Sequence, residues 1–561
     1  MSETFSQNFA FSSFADCPPL VTPRSWRDAL RRVLAGMQSL AARALTMFFG
    51  AMYSSPVFMS ADSAKVEARQ NPRGSPGEEL RPPVSLLAAE IVLLAGVIVG
   101  VLNSLRFAGY YIPLRFALHY EEGNILNAAL RITRGHTPYP PVGGLPYVVN
   151  PYGPVFYYLV APLVKWFGLS FTAPRVLVLI SGLAVGLFLV LLLGHWTRSW
   201  LVALGFGLSF LAVTPVREWL YILRVEMFGL ALALAGLYLF ATRKSLLWSA
   251  LLFLAALFTK ITFLAAPVAV ILYLLLSGDR RRAWRFIGWM LLFGVAGLAA
   301  LSVGTNGWAL FHMFLTHPDP YHFNWYFARL WSVGRWDLGL AAGAILLAVR
   351  DLRRRSVSLP LIFCALATVM TIPVGKLGAD LNELLEWQAA LCLAAGCGYA
   401  AIRNRLRPDS VVALVPIAVL ATVLLGLSES RRLSPAISGC PAAYQFAAEQ
   451  PGQLLTENSG AAVLSGKTVW LSNSFEYCFL GKAGRLDEEP LIRLVRHKFF
   501  GLILMSGTPR LLASSKPEPG LHSTLWPPQF IEALTQNYHQ VARFSCGYAE
   551  VAYEPDAPPA R

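Results

Sequence analysis

Two adjacent carboxylates, Glu121 and Glu122, head a stretch whose apolar positions Ile125, Ala128, Ala129 and Ile132 recur at helical spacing. Further along, charged residues stand in small groups between long apolar runs: Arg217, Glu218, Arg224 and Glu226; then Lys260; then His312, His317, Asp319, His322, Arg329 and Arg335; then Lys376, Asp380, Glu383 and Glu386. Charge at the edge of hydrocarbon is costly, and where it persists it marks a proton relay or a path for an ion or substrate. Each group also has a plainer account. Acidic residues in a first helical turn gain roughly 0.3–1 kcal/mol from the helix dipole, and long basic side chains snorkel to the membrane interface. His312, His317 and His322 are five apart, a spacing that suits neither one helix face nor a metal motif, so they read as interfacial histidines. Trp325, Tyr326 and Trp331 read as an aromatic belt.

The elements that must hold these residues are set by a lipid solvent. Of 561 residues, 55% are hydrophobic and 14% charged, against roughly 25% charged in soluble domains. Apolar runs approaching or reaching the roughly 20 residues that cross a bilayer recur over 84–105, 175–194, 201–214, 226–240, 247–258, 262–276, 286–303, 338–349, 360–374, 385–401 and 411–427. A formal charge of +15 hints at nucleic acid, but the basic residues gather in short clusters between runs: Arg198, Arg243 and Lys244, Arg280 to Arg282, Arg353 to Arg355, and Arg403, Arg405 and Arg407. If 84–105 runs outward from the cytoplasm, every one of these clusters falls on the cytoplasmic side, as the positive-inside rule requires. The expectation is about eleven transmembrane helices, a first outer loop over 106–172, and an extracytoplasmic C-terminus.

Residues 1–83 are polar and rich in Ser, Pro and Arg, with one moderately apolar stretch at 40–59, and read as a disordered extension without a signal peptide. From 428 to 561 the character changes to a small α/β domain. Strands are expected at 453–456, 467–471, 500–505, 541–545 and 549–553, and helices near 488–498 and 528–534. Three of the seven cysteines, Cys440, Cys478 and Cys546, fall there, and an oxidising compartment leads us to expect Cys440 or Cys546 bridged to Cys478.

In chain order, Tyr120-Glu121-Glu122-Gly123, Gly135-His136-Thr137-Pro138-Tyr139 and Pro151-Tyr152-Gly153-Pro154 resemble the first-loop pattern of GT-C superfamily membrane glycosyltransferases. These include the protein mannosyltransferases and the lipid A aminoarabinose transferase. The resemblance continues at Arg224-Val225-Glu226, Phe258-Thr259-Lys260, the run Gly375-Lys376-Leu377-Gly378-Ala379-Asp380-Leu381-Asn382, Thr456-Glu457 and Ser465-Gly466-Lys467. Where the usual form has Asp-Glu, this chain has Glu121-Glu122.

The resemblance implies an inverting transfer of a hexose or pentose from a polyprenyl-phosphate donor to a hydroxyl on a glycan, lipid or protein acceptor. Transfer would occur at the outer face of a membrane, the bacterial inner membrane in the simplest case. Glu121 or Glu122 would act as general base, with Glu121 matching the family's Asp. Arg224, Lys260 and Lys376 would meet the donor phosphate, and Glu226, Asn382 and Glu386 would contact substrate, Glu226 alternatively pairing with Arg224. No cofactor is required by this reading, and a divalent metal is compatible with it. The aromatic group at Trp325, Tyr326 and Trp331 is also compatible with stacking on a sugar. The competing reading is a transporter or lipid flippase, against which stands the absence of an internal repeat with paired broken helices.

Overall fold

A computed structural model describes residues 84–315, 321–376, 378–403, 414–430, 437–506, 526–546 and 548–556. The extension 1–83, His317, Asp319, Leu377, Arg405, Arg407 and 411–413 lie outside the described residues.

The apolar runs fold as helices. The first nine are α1 (Val84–Tyr111), α2 (Tyr120–Thr133), α3 (Pro154–Phe167), α4 (Thr172–Thr197), α5 (Trp200–Ala212), α6 (Glu226–Ala241), α7 (Leu246–Leu257), α8 (Ala265–Leu276) and α9 (Arg280–Gly304). They are followed by α10 (Phe323–Gly334), α11 (Leu338–Arg353), α12 (Leu359–Val369), α13 (Leu385–Arg403) and α14 (Leu414–Ser430).

Each of the eleven expected runs coincides with one of these helices, but length separates them. Among the described residues, four helices (α1, α4, α9 and α13 with its lead-in) are long and apolar enough to span, or six if each bent pair counts as one. One bent pair is α5 with Thr214–Leu220, at 63°, and the other is α10 with α11, at 95°. The remaining runs form shorter apolar helices, and so does α3, which sits inside the expected outer loop. Apolar run length overstates helix length where Pro or Gly breaks the run, as Pro373 and Gly375 do after α12.

The core of the bundle is α13. Its most apolar window is 83% buried against 6% for α9, which is therefore the lipid-facing flank. Alanines and glycines along α13 (Ala389, Ala390, Ala394, Ala395, Gly396) let α11, α5, α12 and α4 pack closely around it.

The tail carries a four-stranded sheet of β1 (Gln453–Thr456), β2 (Phe500–Ser506), β3 (Tyr538–Cys546) and β4 (Tyr548–Pro555), in the order β1-β2-β4-β3. The β1/β2 pair is parallel and the other two are antiparallel. Four of the five expected strands are present. The fifth, 467–471, is a single bridge from Leu471 to Tyr147 of the first loop, because its backbone is spent on that loop: Tyr147 donates to the Trp470 carbonyl at 2.9 Å and Ser472 to the Tyr147 carbonyl at 3.0 Å.

The expected cysteine pairing is corrected. Cys440 is bridged to Cys546, their backbones drawn together where Gly439 donates to the Ser545 carbonyl at 2.9 Å. Cys478 is a free, buried thiol, in an apolar cluster of tail residues (Tyr477, Leu480 and Ile503 among them) that Tyr147 and Val149 of the first loop join.

Candidate active site

Three segments build the site. The first is the start of α2. His119 is its N-cap, its Nδ1 accepting from the Glu121 N–H at 3.3 Å, and Glu122 completes a capping box. Gly123 follows because the tail lies directly on this turn: a Cβ there would stand 2.7 Å from the Gly460 Cα. Ser459 is 3.5 Å from the Tyr120 carbonyl, and Tyr444 accepts from the Ala117 N–H at 2.9 Å. The Glu-Glu-Gly sequence is thus both a helix start and a docking point for the tail.

The second segment is the Pro-Tyr-Gly-Pro turn. The Gly153 N–H donates to the Thr259 carbonyl at 3.1 Å, so this turn fixes the loop that presents Lys260 and brings the Tyr152 ring 5.5 Å from the Arg224 guanidinium. The third is the strand-like segment around Lys376, bridged to Tyr321. Arg329 of α10 holds it by donating to the carbonyls of Val374 at 2.7 Å and Lys376 at 3.0 Å.

These segments and the tail enclose a cavity of about 500 Å³ lined by Glu121, Arg224, Lys260, Lys376 and Asn382, with His119 and Asp380 beside them and Glu457, Glu476 and Glu550 contributed by the tail. Of the eight site residues expected from sequence, those first five share the cavity. Glu122, Glu226 and Glu386 are buried but do not line it.

Glu122 is consumed by Arg175. The Arg175 Nε is 2.8 Å from Oε1 and Nη2 is 2.7 Å from Oε2, with both side chains fully buried, and the N–H groups of Leu118 (2.5 Å) and Leu223 (2.6 Å) also donate to it. Glu226 is consumed by cations: Arg224 at 3.1 Å, Lys260 at 3.0 Å, and the Asn382 amide. Lys260 also reaches Glu383 at 2.6 Å. Glu386 is buried at the start of α13.

What remains unpaired defines the chemistry. The Glu121 side chain is 3% exposed, and its Oε2 has no hydrogen-bond partner among the described residues. Burial pushes this carboxyl above its ordinary range, Arg224 and His119 only partly opposing. Among the described residues, Lys376 is the one lining cation without a carboxylate partner.

Sequence reasoning missed the role of His119. Its Nδ1 faces two obligate donors, the Glu121 N–H and the Arg224 guanidinium at 3.3 Å, so Nδ1 is unprotonated and Nε2–H points at Asp380, 3.4 Å away. The readable signal was a His immediately before a helix whose first turn carries Glu-Glu. His312 is corrected as well. It is fully buried, accepting from the Asn150 N–H at 3.0 Å and lying 2.8 Å from the Pro140 carbonyl, so it pins two parts of the first loop together. Among the described residues no three His, Cys, Asp or Glu side chains gather as metal ligands.

A bundle of apolar helices with a long first loop closing against a C-terminal sheet is a GT-C-like fold. Solved structures with this fold include ArnT from Cupriavidus metallidurans in the apo state, 14% identical, with a TM-score of 0.56 over 82% of this chain and 97% of that one. The same protein bound to undecaprenyl phosphate gives 0.55, again at 14% identity, over 82% and 98%. The archaeal oligosaccharyltransferase AglB from Archaeoglobus fulgidus, in complex with an inhibitory peptide and a dolichol-phosphate, gives 0.51 at 11% identity over 83% and 75%. At such identities the likeness is one of fold. No protein-family model matches the chain, and no curated protein matches it in sequence.

Proposed function

We propose that the protein is an integral membrane glycosyltransferase that moves a sugar, with inversion, from a polyprenyl-phosphate donor to a hydroxyl acceptor at the outer face of the membrane. The observation that carries this reading is the single cavity lined both by Glu121, whose buried Oε2 has no hydrogen-bond partner among the described residues, and by Lys376, which has no carboxylate partner among them. The fold supports it, since one solved structure of that fold holds undecaprenyl phosphate and another a dolichol-phosphate.

In this mechanism the acceptor oxygen attacks C1 of the sugar while Glu121 takes its proton, a general-base contribution of about 10²–10⁴-fold. The bond from C1 to the phosphate oxygen breaks, and its electron pair departs on the polyprenyl phosphate. Lys376 meets the charge that develops there. Arg224 and Lys260, already neutralised by Glu226 and Glu383, act as a fixed cationic wall whose contribution is smaller. Glu122 anchors α2 through Arg175, and Asn382 is left to orient substrate through its tie to Glu226.

By the positive-inside rule the basic clusters are assigned to the cytoplasm, and on that assignment the tail and this cavity face outward, from a bacterial inner membrane in the simplest case. The test is transfer of radiolabel from defined polyprenyl-phosphate sugars to a membrane extract by the purified protein. If no donor is consumed while labelled lipid crosses a sealed vesicle, the flippase reading replaces this one.

A further inference from the structure

The helices that carry the candidate active site at one end close a second cavity, of about 620 Å³, at the other. It is formed where α4, α6, α11 and α13 end (His195, Ala241, Arg350 and Ala400 among its lining) and where α9 and α12 begin (Arg282 and Leu359). The opposite ends of α4 and α6 stand at Arg175 and Glu226, beside the first site. At 1.5 Å per residue, the 16 residues of α6 put roughly 24 Å between the two, close to the ~30 Å of a hydrocarbon core. The second cavity therefore lies at headgroup depth in the other leaflet.

Its charges do not cancel. The lining holds three arginines, Arg243, Arg282 and Arg350, and one carboxylate, Asp351. Asp351 is already spent, accepting from the Ser358 N–H at 2.8 Å and from Arg350 at 3.2 Å. Arg282 reaches Asp279, 3.6 Å away, and covers the Phe240 ring at 5.7 Å. Three donors are left over among the described residues: the Arg243 guanidinium, which has no carboxylate partner, the enclosed Arg350 Nε, and the enclosed Ser358 hydroxyl. A pocket of unspent donors, two of them on arginines, calls for an anion with several acceptor oxygens, and a phosphate ester matches the arginine fork. The volume is that of a small-molecule site, and basic pockets between spanning helices at headgroup depth hold phosphate-bearing lipid heads.

We propose that this second cavity binds the phosphate headgroup of an anionic glycerophospholipid from the leaflet opposite the candidate active site. Arg243 and Arg350 supply the principal contacts. The exposed Arg353, the last residue of α11, and Arg354 after it do not line the cavity, and so supply a charge-matched control.

The experiment uses the full chain, purified and titrated with phosphatidylglycerol, with bound lipid counted by native mass spectrometry and protection read from thermal unfolding. R243Q/R350Q is expected to bind at least about 10-fold more weakly, the combined effect of losing two contacts at about 3-fold each, while R353Q/R354Q changes affinity less than about 2-fold, as screened exposed charges do. Because Arg350 also holds Asp351, R243Q alone is the second variant. It leaves no buried carboxylate orphaned and should still weaken binding by about 3-fold or more. Equal losses in the cavity variants and the control, or no loss in R243Q, overturn the site. Protection by glycerol 1-phosphate or inorganic phosphate at the concentrations at which the lipid acts would overturn the lipid as its source.

Discussion

Arg175 and Glu122 meet as a doubly hydrogen-bonded ion pair with neither side chain exposed, and this contact separates two adjacent carboxylates that the sequence presents as equals. Glu122 is locked; Glu121, one residue earlier, keeps an oxygen unbonded at the cavity. Substituting each therefore gives different failures. Glu121→Gln should lower turnover by at least ~10²-fold with little change in folded yield. Glu122→Gln should instead strand the buried Arg175, a loss of ~3–5 kcal/mol of stability, seen as a lower unfolding temperature and poor yield. Turnover assays and thermal melts on the two purified variants check this, and near-native turnover of Glu121→Gln removes the base.

The parts of the fold that lipid and backbone periodicity dictate were legible. All eleven apolar runs are helices, and the tail's β1, β2, β3 and β4 fall where alternation and turn residues set them. Their lengths were not legible, because hydropathy does not say where Pro373 or the bend between α10 and α11 ends a helix. The first-loop motif led to Glu121, and the later motifs to Arg224, Lys260 and Lys376. Which of those charges is free depends on partners up to 156 residues distant, as Glu226 and Asn382 are, and no local spacing encodes that. Cys478 shows the same limit, since its burial in the tail core rather than its spacing decides that it stays a thiol.

The pH dependence of activity follows from burial of Glu121. A base must be ionised, and burial raises this carboxyl above its ordinary 4.5, so kcat/KM should climb with pH through an apparent pKa above that value and then level off. Stability should run the other way. A carboxyl whose folded pKa is raised contributes stability that is fully present below the unfolded value and is lost as pH rises through the folded one. Glu121→Gln should thus flatten part of the pH dependence of unfolding while abolishing the acid limb of the rate profile. An acid limb centred at or below 4.5 in wild type contradicts this.

In the tail, Glu550, which lines the same cavity as Glu121, gives a second pH signature. Burial pushes it up to about 7, the nearby Glu457 adding and the Asn458 hydrogen bond opposing. By the same sign, its contribution to stability is present below the ordinary carboxylate range and lost as pH rises through about 7. Glu550→Gln, which keeps a neutral group of the same shape, should raise the unfolding temperature more at pH ~8 than at pH ~5. A melt series across that range measures it, and an equal shift at both ends counts against the assignment.

The bridge between Cys440 and Cys546 spans a sequence separation of 106 residues and ties the start of the tail to the last residue of its edge strand β3. Peptide mapping without reduction should recover these two cysteines linked and Cys478 as a free thiol. Cys440→Ser with Cys546→Ser should cost ~2–5 kcal/mol, whereas Cys478→Ala should leave the mapped bridge intact. Recovery of Cys478 in a disulfide would overturn the pairing.

The last prediction concerns the cations. Lys260 sits between Glu226 at 3.0 Å and Glu383 at 2.6 Å, while Lys376 lines the same cavity with no carboxylate on it among the described residues. A phosphate contact acts on bound donor and on the departing phosphate alike, so Lys376→Ala should raise the donor KM and lower kcat together. Lys376→Arg should recover part of both, since the charge is kept and only its geometry changes. Removing Lys260 exposes Glu226 and Glu383 to each other without a shared cation. Lys260→Ala should therefore appear first as lost stability, with an effect on donor KM smaller than that of Lys376→Ala. Arg329→Gln supplies the positional control: it leaves Lys376 charged but releases the Val374 and Lys376 carbonyls, so it should lower kcat with a smaller rise in KM. Steady-state kinetics on the four variants, with melts beside them, separate these outcomes. A Lys260→Ala variant that folds normally and loses donor affinity more than Lys376→Ala would transfer the phosphate contact from Lys376 to Lys260.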